Sequence, residues 1–150
     1  MVKPTKLLWK AGKHVLRYLR GTSGYGLWYR QEDEVKLCDF TDADWARSPT
    51  DRKSTSGGIF SIGSIVVSWY SRKQRSVALS SAEAEYMAAS LATCEAIWMR
   101  KIMVGLFGSH LEPTVIYCDS QSCIKLSANP VFHDISKHID IRYHHIRDFV

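Results

Sequence analysis

Ser80-Ser81-Ala82-Glu83-Ala84-Glu85-Tyr86-Met87-Ala88 opens a long apolar-rich stretch that runs to Gly108, and Val115-Ile116-Tyr117-Cys118-Asp119 follows it. The first stretch predicts a helix over Ser81–Phe107. Ser80 stands where an N-cap accepts a first-turn N–H, Glu83 holds the third helical position of a capping box, and a glycine suits the stop. Val115–Cys118 is a short unbroken apolar run, the pattern of a strand buried on both faces. A long helix that crosses to such a strand implies parallel pairing with a strand upstream of it.

That upstream strand is expected within Val35–Thr41, followed by a turn-rich loop, Arg47-Ser48-Pro49-Thr50-Asp51, and two further strands, Gly58–Ile62 and Ile65–Ser71. Gly63-Ser64 between the last two fits a two-residue hairpin. A helix is expected over Thr5–Arg20, between Pro4 and Gly21, with Leu8, Ala11, Val15 and Leu19 as its apolar stripe. Tyr25–Tyr29 reads as a strand, paired through the polar turn Gln31–Glu34 to the strand after it. Beyond Asp119 come a short helix, stopped by Asn129-Pro130, and a last helix from Ser136 onward. The order β-β-β-α-β-α-α, with a helix and a strand in front, defines an α/β fold: an antiparallel meander of three strands joined by a parallel fourth.

The chain has 150 residues, a formal charge of +5 and a pI near 9.1. This suits a polyanionic partner, and equally a soluble domain that is basic by chance. Cys38, Cys94, Cys118 and Cys123 form no Cys-x-x-Cys pair, which disfavours a zinc module, and nothing at the amino terminus resembles a secretory signal. No apolar run reaches membrane-spanning length. The expectation is an intracellular protein with no membrane partner.

Three acids stand at element ends: Asp42 after the first core strand, Glu85 in the first turns of the long helix, and Asp119 after the buried strand. If the first and fourth strands are neighbours, Asp42 and Asp119 come side by side, and the crossing helix brings Glu85 to them. Clustered carboxylates repel unless a cation compensates, and a hard divalent ion such as Mg²⁺ does so through oxygen ligands. Two such ions serve phosphodiester chemistry. Each acid also has a structural reading. Asp119 is placed as an N-cap, Asp42, Asp44 and Asp51 as loop residues, and Glu83 as half of the capping box. Residues two apart on a helix point in nearly opposite directions, so Glu83 and Glu85 cannot both face the sheet. Glu85, on the stripe of Ala88 and Ala92, is preferred.

Phe40-Thr41-Asp42-Ala43-Asp44-Trp45-Ala46 and Asp51-Arg52-Lys53-Ser54-Thr55-Ser56-Gly57 resemble the opening of the ribonuclease H domain of copia-type LTR retrotransposon polyproteins. Val67-Ser68-Trp69, Ser71-Arg72-Lys73-Gln74 and Val77-Ala78-Leu79-Ser80-Ser81-Ala82-Glu83-Ala84-Glu85-Tyr86 continue the likeness. So do Ile116-Tyr117-Cys118-Asp119-Ser120-Gln121-Ser122, Asn129-Pro130-Val131-Phe132-His133 and Lys137-His138-Ile139-Asp140-Ile141-Arg142-Tyr143-His144. Val15-Leu16-Arg17-Tyr18-Leu19-Arg20-Gly21-Thr22 is similar to the stretch that joins reverse transcriptase to ribonuclease H. The resemblance implies a connection segment over residues 1–34 and a three-layer ribonuclease H-like domain over 35–150. It also implies metal-dependent cleavage of the RNA strand of an RNA–DNA hybrid during reverse transcription, in the cytoplasm or a virus-like particle. Asp42, Glu85 and Asp119 take the positions of the family's first three acids, with two Mg²⁺ ions, or Mn²⁺, as the expected cofactor. The reverse transcriptase segment of the same polyprotein is the expected protein partner. Arg52, Lys53, Arg72, Lys73, Arg75, Lys137, His138 and Arg142 are candidates for hybrid contacts, and equally for solvated surface.

The family pattern continues into a fifth strand, a last helix and a fourth acid, and the sequence stops at Asp148-Phe149-Val150 before them. Impaired cleavage, and an unpaired sheet edge, are therefore expected. Arg47 and Gly58 stand where the family commonly has a glycine and an aromatic residue. The alternative is a non-catalytic transposon remnant, with or without nucleic-acid binding. A related nuclease or integrase of the same broad fold is disfavoured, since the helix glutamate lies between the two aspartates in chain order.

Overall fold

The computed structural model describes residues 5–30, 36–108, 112–128, 139 and 141–149. Three strands precede the long helix: β1 (Leu37–Asp44), β2 (Thr55–Ile62) and β3 (Ile65–Lys73). The helix before them is α1 (Lys6–Gly21), the long helix is α2 (Ser81–Phe107), and β4 (Val115–Tyr117) and α3 (Gln121–Ala128) follow. A 3-10 segment, Ile141–Asp148, closes the described chain. The sheet order is β3-β2-β1-β4, with β1 antiparallel to β2 and parallel to β4. This is the expected meander with a parallel fourth strand, and the helix order matches as well.

Burial along β1 alternates. Leu37, Asp39 and Thr41 are buried under α2, whereas Phe40 and Asp42 face the other way, as the two-residue period of a strand requires. The hairpin from β2 to β3 turns at Gly63, whose φ of 57° is left-handed. A register shift between Phe60 and Ser61 marks a bulge there. Gly58 is required by packing. A Cβ at this position would fall 2.5 Å from the Tyr70 ring, so Tyr70, across the ladder from Gly58, fills the space an aromatic residue would otherwise claim.

Helix α2 lies antiparallel to β1. Ala84 packs near Ala43, and twelve residues on Ala96 packs with Leu37 and Phe60. Ala84, Ala88, Ala92 and Ala96 are all buried, and a stripe of such short side chains lets a helix approach its sheet closely. Residues Glu83 to Ser90 are buried without interruption, because α2 is covered by α3 and the 3-10 segment as well as by the sheet. Tyr86, Ala89, Cys123, Ile139 and Ile146 form the cluster between them. The opposite sheet face carries a row across all four strands, Trp69, Ile59, Phe40 and Tyr117 in register. All four are exposed, and the Phe40 and Tyr117 rings stack at 4.8 Å.

Three expectations need correction. Tyr25–Tyr29 is not a strand: residues 25–30 are exposed and carry no ladder, since β-prone aromatics form a strand only where a partner edge accepts their backbone. The expected last helix is a 3-10 segment over the residues described there. β1 runs to Asp44 rather than stopping at Thr41, because its last residues pair with Thr55–Gly57. Helix α1 forms where expected, capped by Thr5, whose Oγ1 accepts the Leu8 N–H at 3.2 Å. It buries none of its residues. The proposed boundary at 34/35 lies outside the described residues. No described helix is long and apolar enough to cross a membrane.

Candidate metal centre

The cap of α2 decides which glutamate faces the sheet. Ser80 Oγ accepts the Glu83 N–H at 3.2 Å, and Glu83 Oε2 accepts the Leu79 N–H at 2.7 Å. Glu83 is thereby committed to the helix start, reaching one residue further back than the usual reciprocal bond. Glu85 projects differently. The backbone N–H of Ala43 in β1 donates to its Oε1 at 3.2 Å, while Oε2 is buried without a hydrogen-bond partner.

Asp119 follows β4 and is exposed. It is not the cap of α3. Ser120 takes that part, its Oγ accepting the Cys123 N–H at 3.2 Å. Ligand atoms of Glu85, Asp119 and Cys118 lie within 4.8 Å of one another. Asp42 stands outside that group, exposed on β1 one residue before the Ala43 N–H that holds Glu85. Its charge is still felt. Burial pushes the Glu85 carboxyl up to about 7, the Ala43 N–H opposes this, and the negative charges of Asp42 and Asp119 add to the rise. A carboxyl in this state binds a proton or a cation in preference to standing ionised alone. The donor set and the orphaned Oε2 thus fit a divalent cation.

Two residues escaped the sequence reading. The sequence places Cys118 at the end of an apolar strand and in no Cys-x-x-Cys pair, a spacing that disfavours zinc; its thiol belongs to the group, and burial pushes its pKa up. Asp39 is fully buried beneath α2, with neither carboxyl oxygen hydrogen-bonded. Burial, opposed by the backbone at Phe40 and Ile59, pushes it up to about 7. The signal for Asp39 was its place two residues from both Leu37 and Thr41, on the inward-facing parity of β1.

Of the basic candidates, Arg72, Lys73 and Arg75 line a cleft of about 350 Å³ together with Tyr143 and His145. Arg72 pairs with Glu95 and Lys73 with Asp51, each at 2.7 Å. Arg52 and Lys53 belong to the loop after β1, where Arg52 has a φ of 54°. That loop is closed by the Ala46 N–H to Ser54 Oγ at 3.0 Å and by the Arg47–Asp44 pair, so Arg47 is anchored although a glycine is common at its position in the resembled family. Lys137 and His138 lie outside the described residues, as does the side chain of Arg142.

A mixed sheet of order β3-β2-β1-β4, with helices packed on it and acids gathered where β1 and β4 meet α2, is a ribonuclease H-like arrangement. The chain is homologous over its full length to copia-type retrotransposon Pol polyproteins. It is 46% identical over 98% of its residues to the retrovirus-related Pol polyprotein from transposon TNT 1-94 of Nicotiana tabacum. It is 41% identical over its whole length to that from transposon RE2 of Arabidopsis thaliana. The chain spans 11% and 10% of the lengths of these two polyproteins. A stretch of 96 residues is also 51% identical to the secreted RxLR effector protein 161 of Plasmopara viticola, covering 68% of that protein. No protein-family model matches the chain.

Proposed function

We propose that this chain is the ribonuclease H portion of a retrotransposon Pol polyprotein, cutting the RNA strand of RNA–DNA hybrids with divalent metal. The observation that carries the reading is the approach of Glu85 to Asp119, with the charge of Asp42 acting on the same buried carboxyl. Asp42, Glu85 and Asp119 would hold Mg²⁺, two ions in the full reading, and Mn²⁺ suits the same oxygen donors. When bound, the metal supplies activation of the attacking water and neutralisation of charge at the scissile phosphate. Glu85 is positioned for this by the Ala43 N–H, which fixes one of its oxygens and leaves the other available. Arg72, Lys73 and Arg75 present positive charge along one cleft, suited to a phosphate backbone and to binding that weakens with salt. The RNA 2′-OH distinguishes the strand to be cut. Residues 1–34 then form the connection to the reverse transcriptase portion, a role supported by the exposed Leu8, Val15 and Leu19 of α1.

The test is cleavage of a labelled hybrid by purified protein with Mg²⁺, with EDTA, and by the Asp42→Asn variant. Cutting of the RNA strand that requires Mg²⁺ and vanishes in the variant is expected. Full activity in Asp42→Asn would refute the assignment. The formal charge of +5 suits a second reading as well, a non-catalytic transposon-derived remnant that binds nucleic acid. Under it the folded chain leaves the hybrid intact at every metal concentration.

A further inference from the structure

We infer that Glu85, Cys118 and Asp119 form a mixed oxygen–sulfur site for a thiophilic divalent cation of the zinc or cadmium kind. Their ligand atoms lie within 4.8 Å of one another: two carboxylate oxygens, and the Sγ of Cys118 at the end of β4. Glu85 is 8% exposed, and its Oε2 is buried with no hydrogen-bond partner. A buried acceptor that no donor satisfies marks a place where an ion or water completes the structure.

Ligand chemistry separates this site from the all-oxygen one. Mg²⁺ takes oxygen ligands and gains nothing from a thiol, whereas zinc accepts thiolate and carboxylate together. On a tetrahedral zinc, with bonds of about 2.3 Å to sulfur and about 2.1 Å to oxygen, neighbouring sulfur and oxygen ligands stand about 3.6 Å apart. The two oxygens stand about 3.4 Å apart on the same ion, so the group closes by at most about 1.4 Å, and Asp119, exposed just after its strand, has room to make that movement. The fourth position is left to water. Binding releases the Cys118 proton to solvent as the thiolate bonds the metal. Glu85 and Asp119 are shared with the Mg²⁺ reading, so a thiophilic ion excludes Mg²⁺ from them. The inference rests on the geometry of the three side chains and does not depend on hybrid cleavage.

The test is titration of the reduced chain with Cd²⁺, read by the ultraviolet charge-transfer absorption of the cadmium–thiolate bond. Cys94 Sγ lies 3.1 Å from His145 Nε2 and offers a second thiol–imidazole pair, so the titration uses the Cys94→Ser chain. A saturable band is expected there. It should be lost on adding Cys118→Ser, and its midpoint should move to about tenfold higher Cd²⁺ or more in Asp119→Asn. A band that survives Cys118→Ser, or a midpoint unmoved by Asp119→Asn, overturns the inference. Should Cys118→Ser fail to fold by circular dichroism, the Asp119→Asn arm decides, because that side chain is exposed. Wild-type protein that binds Cd²⁺ in this way but cuts no hybrid in Mg²⁺ would sink the nuclease reading and leave this one standing.

Discussion

Replacing Asp39 by asparagine should make the fold more stable in alkali than the wild type, relative to their difference in acid. Asp39 is fully buried, both its oxygens lack partners, and its neighbour across the ladder is the buried Phe60. Its carboxyl is raised from 3.8 to about 7, chiefly by burial. Because the folded value lies above the unfolded one, the folded chain keeps a proton that the unfolded chain has lost. The associated stability is complete below about pH 4, falls as pH rises, and is exhausted above about pH 7. At about 1.4 kcal/mol for each tenfold change in the proton equilibrium, the whole effect is bounded near 4 kcal/mol, of which about 3 kcal/mol falls between pH 5 and pH 9. Asparagine cannot ionise and loses this dependence. Urea unfolding of both chains at pH 5, 7 and 9, in EDTA, gives the double difference, from which the contribution of Glu85 cancels. Parallel stability profiles for the two chains would refute the reasoning, because Asp39 would then be ionised and solvated at neutral pH.

Two further outcomes follow from the geometry. Glu85 must lose a proton, held with a pKa of about 7, before it ligates Mg²⁺. Calorimetric Mg²⁺ affinity should therefore tighten by up to about tenfold per pH unit below about pH 7 and level off above it, and Glu85→Gln should abolish that slope. Gly58→Ala places a methyl 2.5 Å from the Tyr70 ring and should cost about 1–3 kcal/mol in chemical denaturation. The same change in a Tyr70→Ala background should cost less, and equal costs in the two backgrounds would show that the ring is not what excludes the side chain.

Local signals were enough for much of the architecture. Helix α2 has the bounds its sequence predicts, because Ser80 and Gly108 act within one turn of its ends. The Gly63-Ser64 hairpin and the parallel fourth strand were legible for similar reasons. Tyr25–Tyr29 misled because strand propensity carries no information on whether a partner edge exists. The extent of β1 was hidden in its pairing with Thr55–Gly57, eleven or more residues on. At the candidate centre, the choice between Glu83 and Glu85 followed from helical phase, while Ser120, and not Asp119, capping α3 could be seen only once the turn was formed. Cys118 escaped notice because a thiol at a strand end reads as an apolar residue until its neighbours in space are known.

The stripe Ala84, Ala88, Ala92 and Ala96 acts as a gauge block between helix and sheet. Glu85 is carried on the same rigid rod, one residue along from the first of these methyl groups, while the Ala43 N–H that holds it and the Asp119 beside it belong to the sheet on which the rod rests. The clearance of the acid cluster is therefore set by side chains that hold no charge and touch no ligand. A single added branch as far along as Ala92 would tilt the rod and lift Glu85 away from the Ala43 N–H. Drift in this part of the chain is thus constrained by tolerance, and the plainest residues of α2 should be as intolerant of enlargement as its acids are of loss.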